Sequence, residues 1–369
     1  MKNITKIVLA FLFLFSLTSY AQKEKNAPER IKIKMFDVLR SMDTLSFNEY
    51  VTKYIDLNQY KELSKKVNED KESNLEILAL TKYDWEYYRK SEYSNLKDKT
   101  IVITGASRGI GREIALKCAK DGANIVILAK SAEAHPKLPG TIFTVAEEVA
   151  AVGGKALPIQ MDVRDDEAVK AAMKQAADTF GGIDAVINNA GAIKLMGATS
   201  LPLKRFDLMT QINSRAVLST AQAALPWLKK SEQGHIISLS PPLNLDPKWF
   251  AHYSPYTITK YGMSMLTMGL SQEMKRHGIA VNSLWPQTVI STAAVEFEGG
   301  GKATLDRGRT PAIMADAAYE ILTTENCELT GEFVIDEALL RARGVTDFDQ
   351  YRYNPECDKP LMTDLFVSE

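Results

Sequence analysis

The chain has 369 residues, enough for one large α/β domain and something smaller. Its 45% apolar and 25% charged residues are ordinary for a globular protein, and a formal net charge of -1 with no basic, aromatic-interleaved tract gives no nucleic-acid or polyanion partner. The three cysteines (Cys118, Cys327, Cys357) and four histidines (His135, His235, His252, His277) are scattered, outside any disulfide or metal-ligand spacing, so no metal site is expected and the histidines read as surface or loop residues.

Lys2 and Lys6 flank an apolar run, Ile7 to Leu17, which ends in Ser19-Tyr20-Ala21. A positive start, a short apolar stretch and small residues before a cut describe a secretory leader over residues 1–21. An uncleaved anchor or a buried helix is the other reading, but the run falls short of the roughly 20 apolar residues a span needs, and no stable membrane anchor is expected. The leader addresses the protein outside the cytoplasm; free thiols suit a reducing compartment, and a cytoplasmic location is the alternative. Residues 22–96 are rich in Lys, Glu, Asn and Tyr, and Ile31 to Leu39 and Asn58 to Val67 have helical periodicity. They are read as a small helical extension of unreadable role, either packed on the main domain or a spacer.

From Lys97 to the end, strands alternate with helices. Ile101–Ile103, Ile125–Leu128, Ala156–Met161, Ala185–Ile187, Ile236–Leu239, Ala280–Leu284 and Phe333–Ile335 read as strands, with helical patterns between them; the first helix is Gly109 to Lys120, ended by Asp121-Gly122. This alternation predicts an α/β fold, a doubly wound parallel sheet of Rossmann type whose ligand crevice lies at the carboxyl ends of the strands.

Thr104-Gly105-Ala106-Ser107-Arg108-Gly109-Ile110-Gly111 joins the first strand to the first helix. Glycines there let the backbone turn and approach a pyrophosphate, which the helix N-terminus meets with free N–H groups. The second strand ends at Ala129-Lys130, 19 positions after Gly111, where NAD-binding units carry a carboxylate for the ribose 2′-hydroxyl. Lys130 and Arg108 are cations suited to a 2′-phosphate, so NADP(H) is the expected cofactor, although either alone also reads as a solvated surface cation. Asp162-Val163 follows the third strand, placed to touch adenine, and Asn188-Asn189-Ala190-Gly191 follows the fourth, where small and amide residues let the chain pass the cofactor closely.

Tyr256 and Lys260 stand at i and i+4, on one helix face. An ammonium there favours the phenolate and lowers the tyrosine pKa, making it an acid/base near neutrality. Tyr93 to Lys97 repeats the spacing with no cofactor turn to match, so position after the Ser238–Ser240 strand singles out Tyr256.

Together these motifs resemble the short-chain dehydrogenase/reductase family over about Lys97 to Asp336. The resemblance implies that the turn and the Asn188-to-Gly191 motif hold the cofactor. Tyr256 would exchange the proton, Lys260 would bond the nicotinamide ribose, and Asn213 in Gln211-Ile212-Asn213 would support a water in the proton relay. The segments Ser240 to Leu245, Ala280 to Pro286, Phe333 to Asp336 and the insert His135 to Gly140 resemble the hydroxysteroid-dehydrogenase-like branch. Some of its members continue into a sterol-carrier domain, for which the residues after Asp336 are too few. The branch implies a small apolar carbonyl or alcohol substrate, steroid-like or fatty-acyl-derived, and family members are commonly homo-oligomers.

Two positions depart from the pattern. The family's catalytic serine falls at Pro241, with Ser240 one residue early, and Gln287 replaces the glycine after Pro286. A one-residue shift on a strand turns a side chain to the other face, so Ser240 serves only if the strand ends and the chain bends there. The alternative function is therefore a nucleotide-binding protein with weak or no turnover. Thr288 to Arg309, with Gly299-Gly300-Gly301, is expected to form a lid over the substrate, and Met263, Met265 and Met268 to pack in the core.

Overall fold

The structure is a computed structural model, and it describes residues 96–136, 138–298, 300–324 and 328–367. The leader, the two expected N-terminal helices, Tyr93 and Cys327 lie outside the described residues. Leu96–Glu369 forms a compact unit of its own.

Its centre is a seven-stranded sheet: β1 (Thr100–Thr104), β2 (Asn124–Ala129), β3 (Lys155–Gln160), β4 (Ala185–Asn188), β5 (Gly234–Ser238), β6 (Ile279–Trp285) and β7 (Phe333–Ile335). The spatial order is β3-β2-β1-β4-β5-β6-β7, and every pair is parallel. The strands are short apolar runs because both faces are covered. Ile101 and Ile103 enter one core with Ile125, Ile127 and Ile187, whereas Val102 enters the other with Val126 and Val186. The period of two thus divides one strand between two cores.

Helices α1 (Gly109–Lys120), α2 (Ile142–Ala151) and α3 (Asp166–Phe180) follow the first three strands. After β4 come α4 (Leu203–Thr210), a π-helical turn at Gln211–Arg215, and α5 (Ala216–Leu228). Between β5 and β6 run the short α6 (Lys248–Ala251) and the long α7 (Ser254–Met274). Then come α8 (Ala293–Glu298), α9 (Lys302–Leu305), α10 (Ala312–Leu322) and, after β7, α11 (Asp336–Ala342). Apolar residues of α1, α2 and α10 fill the first core; those of α3, α5 and α7 fill the second.

The connections run outward in one direction from β1 through β2 to β3 and in the other from β4 to β7, so the turns leaving the parallel β1 and β4 open side by side at their carboxyl ends. A third, smaller apolar cluster contains Tyr256, Tyr261, Trp285 and Phe366.

Candidate active site

The Gly-rich turn and the Asn188-to-Gly191 motif form one clamp. Asn189 Nδ2 donates to the carbonyl oxygens of Thr104 (2.8 Å) and Gly105 (3.0 Å), while Thr104 Oγ1 accepts from the amides of Asn189 (3.1 Å) and Ala190 (3.0 Å). Gly105 sits at φ +69°, and a Cβ on it would lie 2.9 Å from Ala190 Cα. A Cβ on Gly111 would lie 2.5 Å from Asn189 Nδ2. Glycine is therefore required at both positions, by backbone conformation at the first and by contact at both. Arg108 precedes α1 in extended conformation and no side chain caps the helix, so its first-turn N–H groups are left for an anion. Bare Cα atoms against a close backbone, beside an uncapped helix start, fit a dinucleotide pyrophosphate.

Two cations lie near the end of β2: Lys130, which follows it, and Arg108, which reaches Ser131 from the Gly-rich turn. Lys130 keeps its side chain 64% exposed, with Nζ 3.4 Å from Asp162 Oδ2. Asp162 is also held by Arg164, whose guanidinium keeps the carboxyl well below the usual range, and Val163 is buried. Arg108 donates through Nε to Pro139 O (3.0 Å) and through Nη2 to Ser131 Oγ (3.1 Å) and Gly140 O (3.0 Å). The insert thus folds back on the Gly-rich turn, where a Cβ on Gly140 would meet Ser107 O at 2.4 Å. Lys137, within that insert, lies outside the described residues.

Tyr256 and Lys260 lie in the first two turns of α7, and both are buried. Asn213, in the π-helical turn, fixes this helix start. Its Nδ2 donates to Thr259 Oγ1 (2.9 Å) and Ala192 O (3.0 Å), and its Oδ1 accepts from Ala192 N (2.9 Å). Next to it, Ser214 Oγ donates to Thr259 O at 2.7 Å. One amide side chain therefore joins α7 to the chain that leaves the Asn188-to-Gly191 motif.

The expected lowering of the tyrosine pKa is corrected by this geometry. Burial, and then the nearby Asp364, push the Tyr256 phenol up. The Lys260 ammonium turns instead to Leu239 O and lies 4.8 Å over the Trp285 ring. Burial lowers its pKa to about 7, against the opposing pull of Asp364. A lysine that loses its proton near neutrality supplies little positive potential to its neighbour.

β5 ends at Ser238 and the chain turns, yet the buried Ser240 places its Oγ 2.7 Å from Ser283 Oγ. The carbonyl of Pro241 accepts from Ser264 Oγ at 2.6 Å. The Pro286-Gln287 turn is held through backbone: Gln287 N donates to Asp336 Oδ1 at 2.8 Å, and Gln287 O accepts from Asp364 N at 3.1 Å. Buried Asp336 is pushed up to about 6, chiefly by burial.

The segment after Gln287 runs beside residues 362–367. Val289 N donates to Met362 O (2.9 Å), and Trp285 Nε1 donates to Leu365 O (2.8 Å). The other end of the expected lid is tied in at Arg309, whose N donates to Val289 O (2.9 Å) and whose buried guanidinium pairs with Glu337. Gly299 lies outside the described residues.

A family model described as short chain dehydrogenase matches residues 99–299. The chain belongs to the short-chain dehydrogenase family. It is 55% identical over 270 residues to hydroxysteroid dehydrogenase-like protein 2 of Xenopus tropicalis, covering 73% of this chain and 64% of that protein. The chain therefore spans less than two thirds of that relative's length. A solved protein of Xanthomonas campestris is 48% identical with a TM-score of 0.71, over 74% of this chain and 99% of the other. A solved short-chain dehydrogenase of Mycobacterium thermoresistibile is 46% identical with a TM-score of 0.69, over 74% and 96%. These likenesses place it in the hydroxysteroid-dehydrogenase-like branch.

Several features of this short-chain dehydrogenase differ from the sequence reading or escaped it. Met263 is buried as expected, but Met265 and Met268 are 57% and 45% exposed, because α7 turns that face away from the second core. His235 is a core residue of β5 rather than a surface one; both ring nitrogens are buried without a hydrogen-bond partner, and burial lowers its pKa to about 4. Ser131, Asp336, Asp364 and Phe366 were missed. Each acts through a contact distant in the chain, and only the apolar triplet Leu365-Phe366-Val367 hinted at one of them. Among the described residues no three His, Cys, Asp or Glu side chains gather as a metal site, and no helix is long and apolar enough to cross a membrane.

Proposed function

We propose that the protein is an NADP(H)-dependent oxidoreductase that interconverts a carbonyl and a secondary alcohol on an apolar substrate. The observation that carries this reading is the joining of Tyr256 and Lys260 to the Gly-rich clamp through Asn213. Thr104, Gly105, Ser107, Gly109, Ile110 and Gly111 would line the pyrophosphate, with Asn189, Ala190 and Gly191 beside the nearer ribose. Arg108 and Lys130, with Ser131 between them, would meet the 2′-phosphate, and Asp162 and Val163 the adenine.

The nicotinamide supplies or accepts the hydride at the carbon of the substrate. In the direction of reduction, the Tyr256 hydroxyl gives its proton to the carbonyl oxygen, producing the alcohol; oxidation reverses the step. A phenol kept protonated by burial is competent as the donor. Lys260, on leaving Leu239 O for the ribose, would bring its positive charge to the cofactor side and ease the phenol's loss of its proton. To take the family serine's task, Ser240 would have to exchange Ser283 for the substrate oxygen.

The test is NADPH binding by the purified protein, then its oxidation against ketones and aldehydes with Tyr256→Phe as control. Turnover abolished by that change supports the reading; no NADPH binding overturns it. Replacing Lys130 by alanine should cost NADPH at least about tenfold in affinity and leave NADH unchanged, since a charge-assisted bond is worth about 1.5–3 kcal/mol.

A second reading, nucleotide binding with weak turnover, is favoured by the commitment of Ser240 to Ser283 and the proline at 241. NADPH binding without turnover across the panel would establish it. Export by the leader is likewise our proposal, tested by mass-spectrometric mapping of the mature N-terminus: an intact Met1 excludes cleavage. A homo-oligomeric state is proposed from family likeness and is read by light scattering.

A further inference from the structure

Phe366 fills a cage of aromatic rings. Its centroid lies 5.3 Å from Tyr261, 5.6 Å from Trp249, 5.9 Å from Trp285 and 6.3 Å from both Tyr253 and Tyr256. The side chain is 1% exposed. A ring of this chain therefore occupies the apolar space beside the tyrosine that must meet a substrate oxygen.

The walls of the cage differ in how firmly they are held. Tyr256 and Tyr261 belong to α7, and Trp285 ends a strand with a paired neighbour. Phe366 belongs to an irregular segment, fastened to the rest of the unit by hydrogen bonds from Asp364 N to Gln287 O, Trp285 Nε1 to Leu365 O, Val289 N to Met362 O and Met362 N to Arg307 O. Its own φ is +70°, left-handed backbone that a bulky residue adopts only when its surroundings enforce it. Tyr256 and Lys260 are both buried, so access to them requires that one wall give way. The segment that carries Phe366, irregular and strained where α7 and β6 are regular, is the part that can.

We propose that Phe366 is a built-in occupant of the substrate's apolar subsite. The substrate carries a ring-sized apolar group next to its carbonyl, and its entry displaces the segment Asp364–Val367. This inference rests on the oxidoreductase reading for the identity of the site. The segment then sets affinity: the fraction of molecules with the cage open scales the apparent affinity of any entering ligand.

Hydrogen–deuterium exchange on the full chain tests displacement directly, with acetophenone as the probe. Saturating acetophenone should raise deuterium uptake at residues 362–367 severalfold. Unchanged or reduced uptake means that the ligand packs against a fixed segment or does not enter, and overturns the proposal. Quenching of Trp249 and Trp285 fluorescence by acetophenone, read without NADPH, gives the affinity; Phe366→Ala should bind at least about tenfold tighter, as expected when a closed population is removed. Equal or weaker binding by Phe366→Ala overturns the proposal. If that variant does not fold, Phe366→Leu should shift affinity in the same direction, and its failure to do so counts equally against it. NADPH binding, measured separately, reports on the oxidoreductase reading alone.

Discussion

Asn213 Nδ2 donates to Thr259 Oγ1 at 2.9 Å, and the next residue along the helix is Lys260. The asparagine is 1% exposed, and its remaining bonds go to both backbone groups of Ala192. Replacing it with alanine leaves buried polar groups without partners, each costing about 1–3 kcal/mol. Asn213→Ala should lower the melting temperature by several degrees and reduce turnover at least tenfold, with NADPH affinity less affected. Melting curves and steady-state rates check it; equal turnover by the variant would detach Asn213 from the site.

Gly111→Ala attacks the clamp where the turn meets Asn189. The added methyl would stand 2.5 Å from Asn189 Nδ2 and 2.9 Å from Gly105 O. One of them must shift, and with it the path of the Gly-rich turn. NADPH binding should fall below detection in calorimetry while the circular dichroism spectrum stays that of the wild type.

The hydroxyls of Ser240 and Ser283 are 2.7 Å apart in the interior. Ser240→Ala should therefore cost about 1 kcal/mol of stability, the usual worth of one hydrogen bond, and change kcat less than twofold. Pro241→Ser, which restores a hydroxyl at the family's position, should raise kcat. A large fall in kcat for Ser240→Ala would show instead that Ser240 turns to the substrate.

His235 makes the folded protein sensitive to acid. Its folded pKa of about 4 is below the ordinary 6.5, so between these values the unfolded chain binds more protons and stability falls as the pH drops. The contribution is complete above pH 6.5 and is lost towards pH 4, at most about 3 kcal/mol. Asp336 and Asp364, raised to about 6 and about 7, act with the opposite sign in that range, so the variant comparison isolates the histidine. His235→Val should flatten the decline in melting temperature between pH 6.5 and 4.5; an unchanged decline would place the acid sensitivity elsewhere.

Where the fold resides in periodicity repeated along the chain, the sequence was sufficient. Seven apolar runs with helical spacing between them fixed a parallel sheet covered on both faces. The strand–glycine–helix order from Thr104 to Gly111 located the tight turn into α1, because only glycine permits that path. Spacing put Tyr256 and Lys260 on one helix, and α7 holds both near its start. What the sequence could not show was where polar groups would spend their hydrogen bonds. Spacing predicted that Lys260 would tune Tyr256, but burial and Leu239 O took the ammonium elsewhere. Ser240 went to Ser283 and His235 into the core because neighbouring strands brought those partners and walls together. Phe366 reached Tyr256 across 110 positions of chain through a fold no local pattern encodes. Periodicity is a property of short segments and determined the elements; burial and partnership depend on residues far apart, and only the packed sheet and its loops decided them.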